Sequence, residues 1–295
     1  VIPTVRGVGR IDADDPSPFT NVWATSDTNV YMTVAGILMQ APTNGAVYTI
    51  GTVNDVKWIS AGSEDPLGQG RIYYASDGAN FTNLIATVGN NQAFPGGNTY
   101  NWPVSPLTEP SANARLRVES GGFTHETPTF TVRGIRINQP VAGAALTIGG
   151  NAPIAWKQAG LSPDAAVNLQ LSTDGGLTWD PTPLNAVPWP ANAEVFGWSP
   201  VTPSADPTTN AMIRMTVVSS SIANDIGYEA RSRVFTLKGM KIKAPTSADT
   251  WVLKSTNVIQ WLSAGAGSPV DIYYAANGVS FDTTRPIAAN RANVN

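Results

Sequence analysis

The sequence predicts an all-β protein of tandem sandwich domains arranged in a rod. Three observations predict it: a repeat of about 100 residues marked by Gly, Pro and Trp, apolar residues that alternate within short runs, and a composition poor in charge but rich in turn formers. Only 13% of the 295 residues are charged, against 27 Gly and 23 Pro, a balance that favours short strands joined by turns over amphipathic helices. The length exceeds one usual domain and allows two or three units, each able to bury its own core.

The repeat organises everything else. Gly36, Gly134 and Gly239 each close a short apolar run: Met32-Thr33-Val34-Ala35, Phe130-Thr131-Val132-Arg133 and Phe235-Thr236-Leu237-Lys238. These glycines stand 98 and 105 residues apart. Pro42, Pro140 and Pro245 follow at the same two intervals, as do Trp58, Trp156 and Trp261. Alternation pairs each Trp with an inward partner, Val56, Ile154 or Ile259, so the three indoles are expected as core pillars. The next run repeats the pattern with Ile72 and Tyr74, then Val167, Leu169 and Leu171, then Val270, Ile272 and Tyr274. A turn follows each time at Asp77-Gly78, Asp174-Gly175 or Asn277-Gly278, dipeptides that tolerate positive φ, with Phe81, Trp179 or Phe281 behind it.

Trp102-Pro103 and Trp198-Ser199-Pro200 come later, then runs through Leu116 and Val118 or Ile213, Met215 and Val217, then the run that ends at Gly. About seven strands per unit is the arithmetic of an immunoglobulin-like sandwich. The expected division is a segment over 1–36 carrying a closing-type strand, immunoglobulin-like domains over 37–135 and 136–239, and an incomplete third over 240–295. Gly134-Ile135-Arg136 and Gly239-Met240-Lys241 leave no room for a flexible linker.

The two incomplete pieces together come to 92 residues, close to one period. Half a sandwich exposes apolar surface and unpaired strand edges, which invites strand addition. Two expectations stand side by side: residues 1–36 of one subunit complete the half-domain of the next, or the chain runs on past Asn295.

The unit from Ile135-Arg136-Ile137-Asn138-Gln139-Pro140 through Ile154-Ala155-Trp156 to Asn168-Leu169-Gln170-Leu171-Ser172 resembles the immunoglobulin-like repeat of Ser/Thr-rich surface proteins. That group includes fungal cell-wall proteins of the glycosylphosphatidylinositol-anchored kind and repeats of bacterial exported proteins. The resemblance implies a structural or adhesive role at a cell surface and brings no catalytic residues. Ser172-Thr173-Asp174-Gly175-Gly176-Leu177-Thr178-Trp179 also resembles the Asp-box of sialidase-type propellers, a structural hairpin turn in those families, although a period near 100 residues does not suit a propeller blade.

Composition excludes several chemistries. There is no Cys, so no disulfide, thiolate or Cys-ligated metal is available. His125, the single His, rules out a His-rich metal site and reads as an exposed loop residue. A net charge of −3 with 18 scattered Lys and Arg gives no footprint for nucleic acid. No apolar run is long enough to span a bilayer. No nucleophile elbow or phosphate loop is present, so no enzymatic activity, catalytic residue or cofactor is expected.

Weaker features remain. Asp12, Asp14 and Asp15 offer oxygen ligands to Ca²⁺ but lack the glycine and distal glutamate of a calcium loop. Asn80-Phe81-Thr82 fits an N-glycosylation sequon, and Ser and Thr near Pro offer O-linked sites. Trp189, Trp251 and Trp23 are candidates for stacking on surface glycans. The functional expectation is an extracellular structural glycoprotein, a subunit of a surface filament or layer that assembles with itself head to tail. The alternative is a carbohydrate-binding or adhesin module of a larger secreted protein.

Overall fold

A computed structural model describes residues 35–62, 68–90 and 97–293. Strand is nearly its whole regular structure; among the described residues the helical pieces are two short 3₁₀ turns, Ala191–Ala193 and Ala223–Asp225. The chain is an all-β protein of tandem immunoglobulin-like sandwiches, and it divides into compact units at Gly134 and Ile135.

The first unit contains β1 (Gly36–Ala41), β2 (Val47–Thr49), β3 (Val53–Ala61), β4 (Gln69–Ala75), β5 (Asn83–Gly89), β6 (Asn98–Pro103), β7 (Ser111–Ser120) and β8 (Phe123–Glu126). It shares β9 (Phe130–Gln139) with the second. One sheet has the order β1-β3-β6, and the other sets β9, β7, β4 and β5 side by side. β2 lies parallel on β9, and β8 antiparallel on β7. Period-2 alternation decides which side chains face inward: β7 buries Ala114, Leu116 and Val118 while Arg115 and Arg117 point outward. Between the sheets, the Trp102 ring of β6 meets Tyr74 of β4 at 5.5 Å and Tyr48 of β2 at 6.3 Å, while within the second sheet Tyr48 meets Phe130 of β9 at 5.3 Å. Burial, assisted by Asp55, pushes the Tyr48 phenol up to about 12, and burial then Glu109 raises Tyr74 as well, so both stay neutral donors to backbone carbonyls.

The second unit continues with β10 (Ala145–Thr147), β11 (Ala152–Ala159), β12 (Ala166–Ser172), β13 (Trp189–Pro190), β14 (Val195–Trp198), β15 (Thr208–Ser219), β16 (Glu229–Arg231) and β17 (Phe235–Ala244). Its larger sheet has the order β10-β17-β15-β12-β13, with β16 beside β15, and β11 lies between β9 and β14. Ile154, Trp156, Leu169, Ile213, Met215, Phe235 and Leu237 form one buried cluster. Beyond β17 come β18 (Gln260–Ala264), β19 (Val270–Ile272) and β20 (Ala288–Arg291), the last two paired as a hairpin.

β17 does two jobs in one strand. Its first half pairs with β15 and, in parallel, with β10, whereas Gly239–Ala244 pairs with β18. A Cβ at Gly239 would stand 3.2 Å from Ile148 Cδ1, so the switch between partners falls where only glycine fits without displacement.

Besides Trp261, taken up below, two expectations need correction. His125 is not in an exposed loop. It sits on β8, half-buried, and its Nδ1 accepts the Met39 backbone N–H at 3.3 Å; burial lowers its pKa, partly opposed by Glu126. Tyr274 does not point into a core, because β19 ends at Ile272 and leaves it 66% exposed.

Because Trp156 is 2% exposed, Trp156→Ala should cost about 3–5 kcal/mol through lost transfer energy and the cavity left behind. Urea denaturation followed by circular dichroism should show it as an earlier unfolding step.

Candidate functional site

The chemistry-bearing feature of this chain is an apolar sheet face over residues 240–293. From Pro42 to Trp58, Pro140 to Trp156 and Pro245 to Trp261 the three copies align without a gap, so positions compare directly. Met39 is 8% exposed and its counterpart Ile242 62%; Ile50 is 6% exposed and Leu253 93%. One turn further on, Tyr74 is 2% exposed and Tyr274 66%. In the first unit Trp102 of β6 packs against Tyr74, and Leu116 and Val118 of β7 and Phe130 and Val132 of β9 are buried with them. Among the described residues, 240–293 has no counterpart of those strands.

The result is an open cleft of about 320 Å³ lined by Met240, Ile242, Ile259, Trp261, Val270 and Ile272, with Lys241 and Asp271 beside them. Trp261, expected as a core pillar like Trp58 and Trp156, is only half-buried, since among the described residues only the short hairpin strand β19 shares its cleft. The stretch 250–252, at the positions of β2 and β10, forms no strand.

The polar side of this half-domain is better satisfied than its apolar side. In the first unit Trp58 Nε1 and Ser60 Oγ both donate to Asn90 Oδ1 at 2.9 Å, and Asn90 Nδ2 donates to Ser120 Oγ at 3.0 Å, tying β3 to β7. In the half-domain Trp261 Nε1 and Ser263 Oγ donate to Asn293 Oδ1 at 3.0 and 2.6 Å. The Asn293 amide then reaches the Ala266 and Gly267 carbonyls at 3.4 and 3.0 Å instead of a facing strand. Neither Asn was singled out from the sequence, yet each stands 32 residues after its Trp, and that shared spacing is the signal.

The turns are held by carboxylate or amide caps. Asp77 Oδ1 accepts the N–H groups of Ala79 and Asn80, and Asn277 Oδ1 those of Val279 and Ser280. Asp174 accepts the N–H groups of Leu177 and Thr178 and the hydroxyls of Thr178 and Ser172. These bonds, Thr178's first, hold the Asp174 carboxyl down at about 2. Gly78 has φ +71°, and a Cβ there would stand 2.7 Å from the Asn113 carbonyl oxygen. Behind the turns, the Arg117 guanidinium lies 4.0 Å over Phe81 and that of Arg214 4.8 Å over Trp179, whereas Phe281 is exposed.

Other residues expected to bind scatter. Asp12, Asp14, Asp15 and Trp23 lie outside the described residues, as does the run 32–34. Asn80 is exposed on its turn, with its amide donating to Asp77. Trp189 is half-buried, donates its indole N–H to the Val195 carbonyl at 2.9 Å and meets Phe196 edge-on, while Trp251 is exposed. The structure does not bring these tryptophans together. Among the described residues no group of three or more His, Asp or Glu side chains could hold a metal ion, and no helix is long and apolar enough to cross a membrane.

No protein-family model matches the chain, and no curated protein matches it. Among solved structures it is similar to the fibronectin(III)-like modules of Clostridium thermocellum CbhA, at 12% identity over 68% of this chain and 94% of that one, with a TM-score of 0.20. It is also similar to Rst D1-D2, at 12% identity over 69% and 100%, with a TM-score of 0.24.

Two outcomes follow from the site's geometry. Ile50→Ser should destabilise the first unit by about 2–4 kcal/mol, whereas Leu253→Ser at the matching position should change stability by less than about 0.5 kcal/mol, as chemical denaturation would measure. For Asp174 the folded pKa lies below the unfolded one, so its contribution is full above about pH 4 and is lost as pH falls through about 2. The difference in urea midpoint between the wild type and Asp174→Ala should therefore be constant above pH 4 and shrink toward pH 2.

Proposed function

We propose that the protein is an extracellular structural subunit of a surface filament or layer, in which residues 1–36 of one copy complete the half-domain 240–295 of the next. In this reading 37–135 and 136–239 are the closed domains between the two joining pieces. The observation that carries it is the paired comparison above: positions that the first unit buries are exposed, in the same order, between Met240 and Phe281.

The magnitudes support association. Full burial of a large apolar side chain is worth about 1.5–3 kcal/mol, so covering the part of Met240, Ile242, Trp251, Leu253, Tyr274 and Phe281 that is still exposed, 43% or more of each, is worth roughly 6–11 kcal/mol together. Losing translational and rotational freedom costs about 4–15 kcal/mol, so closure of the face alone can offset it. Head-to-tail use of two different surfaces leaves each copy with a free surface for the next, giving an open chain wherever the rotation between copies does not close a ring. The surface location is supported by the resemblance to repeats of exported surface proteins.

The experiment is light scattering and negative-stain electron microscopy on the full 295-residue chain and on a variant lacking residues 1–35. The expected result is linear assemblies from the full chain and monomers from the deletion. A full chain that stays monomeric at high concentration overturns the reading.

A further inference from the structure

Resting on that reading, the inference concerns which strand joins the subunits and in what register. The same parallel pairing occurs twice inside this chain. On β9, Val47 faces Thr131, Tyr48 faces Val132 and Thr49 faces Arg133. On β17, Ala145 faces Thr236, Leu146 faces Leu237 and Thr147 faces Lys238. The flanking hydrogen bonds also match. Thr131 N–H donates to the Ala46 carbonyl at 2.8 Å and Thr236 N–H to Ala144 at 2.7 Å; Ile50 N–H donates to the Arg133 carbonyl and Ile148 N–H to Lys238, both at 2.9 Å.

The half-domain holds the acceptor side of this pairing. Asp249, Thr250, Trp251, Val252 and Leu253 stand at the positions of Ala46 to Ile50 and of Ala144 to Ile148, but form no strand. A third run in the sequence, Met32-Thr33-Val34-Ala35-Gly36, shares with the donor runs Phe130–Gly134 and Phe235–Gly239 a large apolar residue, Thr, an apolar residue, a variable one and Gly. Gly36 opens β1 as Gly239 opens the second half of β17, since Gly36 to Ala41 pairs with β3 as Gly239 to Ala244 pairs with β18.

We propose that residues 32–36 add in parallel to residues 250–252 of a second copy, with Thr33 opposite Thr250, Val34 opposite Trp251 and Ala35 opposite Val252. Thr33 N–H donates to the Asp249 carbonyl, and Leu253 N–H donates to the Ala35 carbonyl. Val34 then lies beside Trp251 as Val132 lies beside Tyr48, and Met32 takes the place of Phe130 over the exposed face. The connection between subunits becomes a repetition of the one β17 makes within a chain.

The absence of Cys makes the register directly testable. Neighbouring strands bring paired Cα atoms to about 5 Å, within the range a disulfide spans. The full chain carrying Thr33→Cys with Thr250→Cys is oxidised and run on a denaturing gel. Beside it run Thr33→Cys with Val252→Cys, one residue pair out of register on the same face, and Ala145→Cys with Thr236→Cys, the in-chain precedent. The expected result is a ladder of covalent dimers, trimers and higher species from the first pair, at least tenfold weaker in the second, with an internal cross-link in the third. Assemblies that form while the first pair fails to cross-link and the in-chain pair succeeds overturn the register but leave subunit completion standing. Monomers only, or a disulfide within one chain, overturn both.

Discussion

An indole buried at the centre of a sandwich brings one N–H that has to find an acceptor away from water, because an unmet donor there costs about 1–3 kcal/mol. The three copies meet that demand in two ways. Trp58 uses the Asn90 side chain, Trp156 the Ala191 carbonyl at 2.7 Å, and Trp261 the Asn293 side chain. The first solution does most for the fold. Asn90 accepts from Trp58 and Ser60 on β3 and donates to Ser120 on β7, and Ser120 Oγ passes on to the Gln69 carbonyl at 2.6 Å. A single buried amide thus fixes how two sheets face each other, and the aromatic contacts of Tyr48, Tyr74, Trp102 and Phe130 pack around that alignment.

Strand sharing is the second constraint. β17 leaves the sheet it shares with β15 and β10 and, without a turn, becomes the strand that pairs with β18. No linker residues intervene, so closing one sandwich and opening the next are one event in the backbone. At Gly239 the chain passes close to Ile148, whose Cδ1 would have to give way slightly to any Cβ there.

How much of this was readable in the sequence depends on whether a signal is local. Alternation around Val56 and Trp58 or Ile154 and Trp156 names the inward face, and all four residues are buried. Asp77-Gly78 and Asp174-Gly175 name turns, and both glycines have positive φ. Alternation cannot say whether a second sheet exists to cover the face it defines. Trp261 and Tyr274 carry the same pattern as their counterparts but differ in what lies opposite, a long-range property, and Tyr274 also falls beyond the end of β19. β8 escaped notice because Phe123-Thr124-His125-Glu126 has no alternating apolar residues; it exists through pairing with β7, reinforced by the ion pair of Arg117 with Glu126 at 2.7 Å. Asn90 and Asn293 escaped because an amide that accepts from an indole has no composition signature, and only their equal distance from Trp marks them.

The same division between local and long-range terms separates what residues 240–293 satisfy by themselves from what they leave exposed. Its polar requirements are met within 240–293: the indole N–H by Asn293, the Asn293 amide by nearby carbonyls, the turn by Asn277, and the backbone of β18 by β17. Its apolar requirement is not met locally, since Leu253, Tyr274 and Phe281 need strands that in the first unit arrive from 25 residues or more along the chain. A buried orphan donor would force the half-domain to unfold or rearrange, whereas exposed apolar area carries a cost that a partner strand relieves without remodelling. A strand that brings backbone donors and acceptors together with alternating apolar side chains satisfies both the sheet edge and the exposed face, and a flat apolar ligand would satisfy only one of them.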